Sequence, residues 1–596
     1  MPRLSLLLAL STCYLAPLCA ASVSSPSQVT PCSVSRHQVS CECRPVSESF
    51  TGLQNEARAA PDNPPEDKSA VLGNVFNALA VLQNTYFEPI NGTWPSSIDW
   101  TGAVVGTIIS GTLSTLSKSL DSLVQKHDWV VKEQLISSLF AHVTHYFFGQ
   151  DTAAILDEAY DDVLWVVLGW LETIKFINLH STLHYPARER NCLSVPTALD
   201  SALGTMSWHG NHWVCTFATR ARAFWDFASK GWDTNLCSGG MVWNPKFEPY
   251  KNAITNELWI SASTSMYDNF PNDKFNQTWV SSNGLATNNP GYLTAAITGY
   301  KWLRDVNMTN TQGLYVDGFH VDKTKPGNVK CDQRDEMVYT YNQGVVLTGQ
   351  RGLFMMTGSR SYLEEGHSLI SSVINATGWD MNKNTPMDSI KDAPPGKLPP
   401  WRGIGRYGIL EEFCDKEGTC SQDGQTFKGI FFHHLTAFCA PIQQADVARF
   451  VKGDAGQVKT VREAHDNSCA SYLPWIKHNA DAALGTRDAA GRFGMWWGAN
   501  MYTSSRDREG LFLQVKATGQ GNHGTERPDA PSPQDEPMGR DPCIAPTRAD
   551  ASDELRAGRA LERRAGDAND RGRGRTIETQ AGGLAILRAY WEFSHR

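Results

Sequence analysis

Apolar residues recur at three- and four-residue intervals along most of the chain. One such series runs through Val104, Val105, Ile108, Ile109, Leu113, Leu116 and Leu120. This period places the apolar side chains on one face of an α-helix. The same spacing predicts helices near 131–143, 153–178, 217–229, 252–267, 292–304, 337–357, 361–376, 427–449, 471–483 and 579–593. Alternating patterns bounded by tight turns, which indicate β-hairpins, are few.

The predicted helices are ten to twenty residues long and are joined by loops rich in Gly, Pro and Asn. This arrangement is typical of stacked helical hairpins. Small residues on the 102–120 helix, such as Gly106 and Gly111, allow a neighbouring helix to approach closely. A strict internal repeat is absent, which argues against a solenoid of the tetratricopeptide type. The sequence therefore predicts one mostly α-helical domain over residues 69–596.

Three segments depart from this pattern. Residues 1–20 combine Arg3, an apolar run and small residues before a cleavage zone, the layout of a secretory signal peptide. Residues 21–68 are rich in Ser, Pro and charge, and predict a flexible N-terminal lead-in. Residues 517–575 have little apolar content, which predicts a disordered insertion within the domain.

Charge and hydropathy exclude two classes of partner. The chain has 54 basic and 62 acidic residues among 596, and its basic residues form no patch interleaved with aromatics. Nucleic-acid binding is therefore not expected. The longest strongly apolar stretch, 163–171, is too short for a membrane span, and the C-terminus lacks a hydrophobic tail. We expect an exported protein with no stable membrane anchor; the sequence makes no prediction of oligomeric state.

Cysteines and glycosylation motifs agree with export. Twelve cysteines remain after the signal peptide, an even number that favours disulfides. Neither a CxxC pair nor an HExxH motif occurs, so no metal site or other cofactor is expected. Four Asn-X-Thr sequons begin at Asn91, Asn276, Asn307 and Asn375. Together these features predict a secreted glycoprotein, extracellular or associated with a cell wall.

The adjacent acids Asp161 and Asp162 are the strongest candidates for catalysis. They precede the apolar run 163–171, which has little amphipathic alternation and predicts a helix buried on most sides. Neighbouring positions of a helix differ by about 100°, so both carboxyls can reach one cavity. Two like charges in one site separate their pKa values, which provides one acid and one nucleophile at the same pH. The alternative is that the pair caps a helix N-terminus.

Eight short motifs, in order, make the sequence similar to glycoside hydrolase family 76, in particular its secreted fungal α-1,6-mannanases. The motifs are Ser97–Gly102, Tyr160–Trp165, Cys237–Trp243, Tyr250–Asn256, Tyr339–Gly344, Asp423–Gly429, Gly494–Gly498 and Glu578–Gln580. The resemblance implies an all-α fold, an (α/α)6 barrel of six inner and six outer helices. It also implies Asp161 as nucleophile, Asp162 as general acid/base, and α-1,6-mannan or a mannose-containing oligosaccharide as substrate.

Other residues of these motifs are candidates for binding the substrate. Trp243 and Asn256 can contact sugar or serve the structure. Tyr341, Asn342 and Gln343 can donate hydrogen bonds into a cleft or simply begin a helix. Trp100, like Trp496 and Trp497, can form a stacking platform or lie in the core.

Three functions are compatible with these residues. The first is hydrolysis within an α-1,6-mannan chain with retention of configuration, which needs no cofactor. The second is transglycosylation, in which mannose-containing anchors of surface proteins are joined to wall glucan. The third is a non-catalytic glycan-binding wall protein, against which the intact Asp161–Asp162 pair speaks.

Overall fold

The computed structural model describes residues 34–35, 38–39, 68–123, 129–185, 207–274, 291–322, 324–390, 397–443, 455–499 and 567–596. The predicted signal peptide, most of the lead-in and residues 517–566 of the insertion lie outside these ranges.

Thirteen long helices make up most of the described chain. They are α1 Lys68–Tyr86, α2 Asp99–Lys118, α3 Trp129–Gly149, α4 Tyr160–His184, α5 Val214–Ala228, α6 Ala253–Asn269, α7 Gly291–Asp305, α8 Thr340–Thr357, α9 Ser361–Ala376, α10 Gln422–Phe438, α11 Ala455–Ser471, α12 Leu473–Gly485 and α13 Ile577–Ser594. Single-turn helices are Leu120–Leu123, Thr152–Leu156, His209–Trp213, Ser229–Gly231 and Ala568–Asp570.

Six of the helices form a closed inner ring. Each of α2, α4, α6, α8, α10 and α13 packs against the next, and α13 returns to pack against α2. The outer helices α1, α3, α5, α7, α9 and α12 pack against the ring, and α11 packs on α12. Outer and inner helices alternate along the chain. The predicted all-α (α/α)6 barrel is confirmed.

Burial explains which helices are inner and which are outer. Eighteen of the 20 residues of α2 are buried, because it is covered on every side. The outer helix α9 buries one stripe alone: Leu363, Gly366, Leu369, Ile370, Val373, Ile374 and Ala376. A one-sided stripe at this spacing is what a helix presents when it covers a core from outside.

Glycines permit the inner helices to meet at short distance. A Cβ on Gly344 of α8 would lie 2.6 Å from the Cα of Phe431 on α10. A Cβ on Gly429 of α10 would lie 2.9 Å from the Cα of Gly582 on α13. Any larger residue would force these helices apart. The predicted small residues of α2 meet side chains instead: a Cβ on Gly106 would lie 3.5 Å from the Tyr146 ring, and one on Gly111 would clash with the Arg588 guanidinium.

Helix α4 is long and apolar enough to cross a membrane, and among the described helices it alone meets that criterion. Most of its apolar window, 72%, is buried inside the barrel. A core helix shares this composition, and the packing of α4 against α2, α5 and α6 accounts for it.

Short strands lie in the connections. They are β1 Val34–Ser35, β2 Gln38–Val39, β3 Tyr250–Asn252, β4 Gly318–Val321, β5 Cys331–Asp335, β6 Trp379–Asp380, β7 Thr385–Pro386, β8 Gly405–Arg406 and β9 Ile409–Leu410. The largest sheet is antiparallel with the order β3-β4-β5. Strand β3 continues directly into the inner helix α6, for which Asn252 is the N-cap.

Three disulfides join Cys237 to Cys331, Cys414 to Cys420 and Cys439 to Cys469. Disulfide bonding is thereby confirmed for these six cysteines. Cys215 is exposed and unpaired within the described part of the chain.

The predicted insertion is too long at its C-terminal end, because residues 567–575 pack against the barrel. Asn569 is 2% exposed, and its side chain accepts a 2.8 Å hydrogen bond from the Trp496 backbone N–H. Arg575 donates to the Thr486 carbonyl at 2.9 Å and to Asp567 at 2.8 Å. The segment is polar because its side chains bind backbone groups, a role that low apolar content conceals.

Candidate active site

The first turns of the six inner helices gather polar side chains, all of which except Glu257 come from the predicted motifs. These residues are Asp99 and Trp100 on α2, Asp161 and Asp162 on α4, Asn256 and Glu257 on α6, Tyr341 and Asn342 on α8, Asp423 on α10 and Glu578 on α13. Contacts between different helices link them: Trp100 donates to Asp423 at 3.1 Å, and Thr101 donates to Glu578 at 3.0 Å. One rim of the barrel therefore carries the acidic residues, at the positive ends of the helix dipoles.

Asp161 and Asp162 occupy the second and third positions of α4 and are 8% and 3% exposed. The Asp161 carboxylate accepts a 3.2 Å bond from the Asp162 N–H and another from the Trp243 indole N–H. Asp162 accepts a 3.1 Å bond from the N–H of the N-cap residue Ala159. Asp162 thus does contribute a helix cap, but a cap alone needs no burial of a second carboxylate beside it.

Burial raises the pKa of both carboxyl groups, and to different extents. It raises the pKa of Asp161 to about 7, with Asp317 adding to the increase and the N–H donors of Asp161, Asp162 and Trp243 opposing it. Burial, then the charges of Asp161 and Glu158, raise the pKa of Asp162 well above its ordinary value. Near neutral pH the pair therefore holds a proton, and Asp162 is the better site for it.

Trp243 is placed beside the pair by its backbone as well as its ring. Its carbonyl accepts a 2.9 Å bond from the N–H of Tyr160, the residue that begins α4, and its N–H donates to the Tyr250 carbonyl at 2.8 Å. Its indole stacks on Phe247, which is 47% exposed, with ring centroids 5.8 Å apart. Trp243 and Phe247 thus form an aromatic surface next to Asp161.

Tyr341 lies in the first turn of α8, near Asp317 and Asp161. It stacks on Phe427 of α10 with centroids 3.8 Å apart. Burial, followed by the charges of Asp317 and Asp161, raises the pKa of Tyr341 well above its ordinary value. Its hydroxyl therefore remains a neutral hydrogen-bond donor near the two acids.

Two carboxyl groups near the pair were missed at the sequence level. Asp317 precedes strand β4 and accepts a hydrogen bond from the Tyr250 hydroxyl. Burial raises the pKa of Asp317 to about 6, while Tyr250 and Asn342 lower it. Glu257 is fully buried, and neither of its oxygens has a hydrogen-bond partner among the described residues. Asp317 lies in a loop without a distinctive motif, and Glu257 follows Asn256 in a run that reads as ordinary helix.

Asn256 and Gln343 direct their amides to backbone groups. Asn256 accepts from the Met241 N–H at 2.7 Å and donates to the Met241 carbonyl at 3.2 Å. Gln343 accepts from the Tyr315 N–H at 2.7 Å and donates to the carbonyls of Tyr315 and Tyr339 at 2.9 Å each. Both residues hold the loops of the rim in place.

The other candidate tryptophans, Trp100, Trp496 and Trp497, are buried. Trp100 is 5% exposed and stacks on Trp165, while Trp496 and Trp497 are each 2% exposed. Trp496 donates to Glu411 at 3.1 Å. Lys428, on α10, forms a buried ion pair with Asp415.

One group of side chains in the described residues has the spacing of metal ligands: His367, His465 and Cys469. Cys469 is bonded to Cys439 and cannot supply a thiolate. The His367 Nε2 lies 3.0 Å from the His465 Nδ1, so the two rings form a hydrogen-bonded pair. This group belongs to α9 and α11, on the outside of the barrel.

Comparison with known proteins shows similarity to one family of glycoside hydrolases. The profile of glycosyl hydrolase family 76 matches residues 212–504. The mannan endo-1,6-alpha-mannosidase DCW1 of Candida glabrata is 24% identical over 265 residues, which are 43% of this chain and 48% of that protein. DFG5 of Saccharomyces cerevisiae, with the same enzyme name, is 24% identical over 263 residues, 43% of this chain and 47% of that protein. The chain spans about half the length of these curated relatives.

Solved structures show similarity at low sequence identity. One is an inactive variant, with two adjacent aspartates replaced, of an α-1,6-mannanase of Salegentibacter in complex with α-1,6-mannotetrose. It has a TM-score of 0.46 and 15% identity, over 88% of this chain and 99% of that chain. Dfg5 from Chaetomium thermophilum in complex with glucosamine has a TM-score of 0.43 and 14% identity, over 76% and 90% of the two chains. The family profile and the fungal relatives thus show that the chain is similar to glycosyl hydrolase family 76.

Proposed function

We propose that this protein is a secreted glycoside hydrolase that cleaves α-1,6-linked mannan within the chain and retains the anomeric configuration. The observation that carries the proposal is the Asp161–Asp162 pair: two adjacent buried carboxyl groups whose pKa values are raised unequally. The similarity to glycosyl hydrolase family 76 supports the reaction class. The names of the fungal relatives, mannan endo-1,6-alpha-mannosidases, support the substrate.

In this proposal Asp161 is the nucleophile. It has the lower pKa of the pair, because N–H groups of Asp162 and Trp243 stabilise its charge. Its carboxylate oxygen bonds to the anomeric carbon of the mannose as the glycosidic C–O bond breaks. The product of this first step is a glycosyl ester on Asp161, together with the released chain fragment.

Asp162 is the general acid and then the base. The charges of Asp161 and Glu158 keep its proton in place, so it can protonate the departing glycosidic oxygen. When the ester has formed, Asp161 is neutral and the pKa of Asp162 falls. Asp162 then takes a proton from water, the water oxygen bonds to the anomeric carbon, and Asp161 leaves.

Aromatic side chains at the rim suit a sugar substrate. The Trp243–Phe247 surface can stack on a pyranose ring, because sugar C–H groups pack well on aromatic faces. Tyr341 supplies a neutral hydroxyl as a hydrogen-bond donor near Asp161, and Asn342 is buried beside Asp317. Trp100, Asn256 and Gln343 hold the surrounding helices and loops in place through the contacts described above.

Secretion is supported by the three disulfides and by the sequons. Three of the sequon asparagines, Asn91, Asn307 and Asn375, are exposed, as N-glycosylation requires of a folded protein. Asn276 lies outside the described residues.

The test of this function is digestion of unbranched α-1,6-mannan, followed by sizing of the products and NMR of the first anomer formed. Internal cleavage with an α-anomer product is expected. Adding a glycan acceptor separates hydrolysis from transfer, since transglycosylation would give mannose–acceptor adducts instead of free ends.

Variants of the pair test the assignment of roles. Asp161→Ala should abolish turnover. Asp162→Ala should keep the first step on a mannoside with a good leaving group, accumulate the glycosyl-enzyme and be rescued by azide. Azide rescue of Asp162→Ala should give a glycosyl azide of retained configuration, because the glycosyl-enzyme still forms. A retained product from azide rescue of Asp161→Ala, with an inverted product from Asp162→Ala, would exchange the two roles, and near-normal activity of both variants would refute the proposal.

A further inference from the structure

The loop 233–243, which ends at Trp243, has an unusual backbone. Cys237, Ser238, Gly239 and Gly240 follow one another with φ values of 56°, 57°, 131° and 90°. Such values are strained at a non-glycine residue and persist where the surroundings enforce them. The conformation turns several carbonyl groups of the loop toward one point.

The ammonium group of Lys251 occupies that point. Its Nζ donates to the carbonyls of Asp233 at 2.8 Å, Leu236 at 2.7 Å and Gly239 at 2.5 Å. The Asp233 carboxylate lies 3.2 Å away and balances the charge. Lys251 is 1% exposed, so all three of its N–H bonds are made inside the protein.

Lys251 stands on strand β3, one residue after Tyr250. Its backbone pairs with Phe319 of the neighbouring strand β4. The nearby cation Arg334 of β5 donates to the carbonyls of Asn307 and Thr309 and does not face the Lys251 ammonium. Asp233 is thus the charged group that faces the ammonium among the described residues. Burial lowers the pKa of Lys251 to about 8, so the group is charged at neutral and acidic pH.

The carbonyl groups of Asp233, Leu236 and Gly239 form a cage around the Lys251 ammonium. This cage is connected to the catalytic pair through Trp243. Strand β3 carries the Tyr250 carbonyl, to which the Trp243 N–H donates at 2.8 Å. The Trp243 carbonyl accepts from the first residue of α4, and its indole donates to Asp161. The position of the indole therefore depends on the loop that Lys251 holds.

We propose that Lys251 is a positioning residue: its ammonium acts as an internal cation that fixes loop 233–243 and so holds the Trp243 indole on Asp161. It does not touch the reacting atoms. The catalytic consequence rests on the proposed function, whereas the loop-fixing role does not.

The main variant is Lys251→Ala, which leaves three converging carbonyls without a donor. We expect kcat to fall about 10- to 100-fold, since small misplacements of catalytic groups have effects of that size, with KM changed less than about threefold. Ammonium or ethylammonium should restore kcat several-fold by entering the cage. Tetramethylammonium, which is charged but has no N–H, should not. Lys301→Ala, which removes an exposed lysine of α7, should behave as wild type under every condition.

A double mutant tests the route through the indole. In a Trp243→Phe background, Lys251→Ala should cost much less than in the wild type, because the group it positions is already gone. Full additivity of the two losses, or wild-type kcat in Lys251→Ala, would overturn the proposal. Loss of kcat that none of the amines restores would also overturn it, since the cage would then not be a cation site.

Hydrogen–deuterium exchange separates this proposal from the proposed function. Exchange of loop 233–243 should increase in Lys251→Ala and return toward wild type with ammonium, whether or not mannan is the substrate. If wild type does not cleave mannan but exchange responds in this way, the functional proposal fails and the role of Lys251 stands. Should Lys251→Ala not fold, Lys251→Gln replaces it; unchanged exchange in that neutral variant would refute the cation role.

Discussion

Replacing Asp161 by Asn should change the stability of the protein by an amount that depends on pH, and should stabilise it near and above neutral pH. Burial raises the pKa of Asp161 from 3.8 to about 7 in the folded protein. Between about pH 4 and pH 7 the folded state therefore binds more protons than the unfolded state. Stability of the wild type must fall as pH rises through this window, because ionisation of the buried carboxyl is unfavourable. Asn cannot ionise, so the variant does not lose stability in this way.

The size of the effect follows from the pKa shift. A change of roughly three pKa units at about 1.36 kcal/mol each corresponds to about 4 kcal/mol between pH 4 and pH 8. Asn also accepts the N–H bonds of Asp162 and Trp243 less well, at a cost of about 1–2 kcal/mol. That cost is the same at every pH, so the change with pH isolates the ionisation of Asp161.

The assay is the melting temperature of both proteins between pH 4 and pH 8. An unfolding entropy of about 2.1 cal/mol/K per residue, applied to roughly 400 described residues, converts each kcal/mol into about 1 °C. The Tm difference between Asp161→Asn and wild type should thus move by about 4–5 °C in favour of the variant as pH rises. Glu364→Gln, an exposed acid on α9, should show no such movement. A pH-independent difference for Asp161→Asn would refute the reasoning, because ionisation would then cost nothing.

Three further changes have distinct outcomes. Trp243→Phe removes a hydrogen-bond donor to Asp161, the proposed nucleophile, so the acid limb of the pH profile of kcat/KM should move up by about one pH unit; an unmoved limb contradicts the contact. Lys428→Met removes the ion-pair partner of the buried Asp415 and should lower the free energy of unfolding, measured by urea titration, by about 3–5 kcal/mol. The control Lys477→Met removes an exposed ion pair and should change the same free energy by less than about 1 kcal/mol. Deleting 517–566 should leave Tm nearly unchanged, but deleting 517–575 should lower it strongly; equal effects would show that the packing of the last nine residues adds no stability.

Helical period and motif order were sufficient to predict the barrel. Each predicted helix corresponds to an observed one, because an inner or outer helix must present apolar residues at 3.6-residue spacing to its neighbours. Two helices, α1 and α11, were not predicted. The polar helix α11 covers the barrel from outside and contacts little beyond α12, so its sequence carries a weak apolar signal. Helix α1 has apolar residues on more than one face.

The candidate site could be predicted where its residues are neighbours in the sequence. Asp161 and Asp162 are adjacent in the chain, so they are close in space whatever the fold. Asp317 could not be found, because its proximity to the pair depends on a loop returning between α7 and α8. The contact of Trp243 with Asp161 likewise joins positions that no local pattern connects. Its prediction as a substrate-binding residue came from the motif alone.

Helix direction explains why the acidic pair can work near neutral pH. All six inner helices begin at the same rim, so each directs free N–H groups, equivalent to about half a positive charge, toward the acids. These groups lower carboxyl pKa values, while burial raises them by more, and the balance leaves Asp161 at about 7. A barrel of opposite helix direction would present carbonyl groups to the same residues and hold both carboxyls protonated. Asp161 would then lack the charge that a nucleophile needs, and the pair could serve only as an acid.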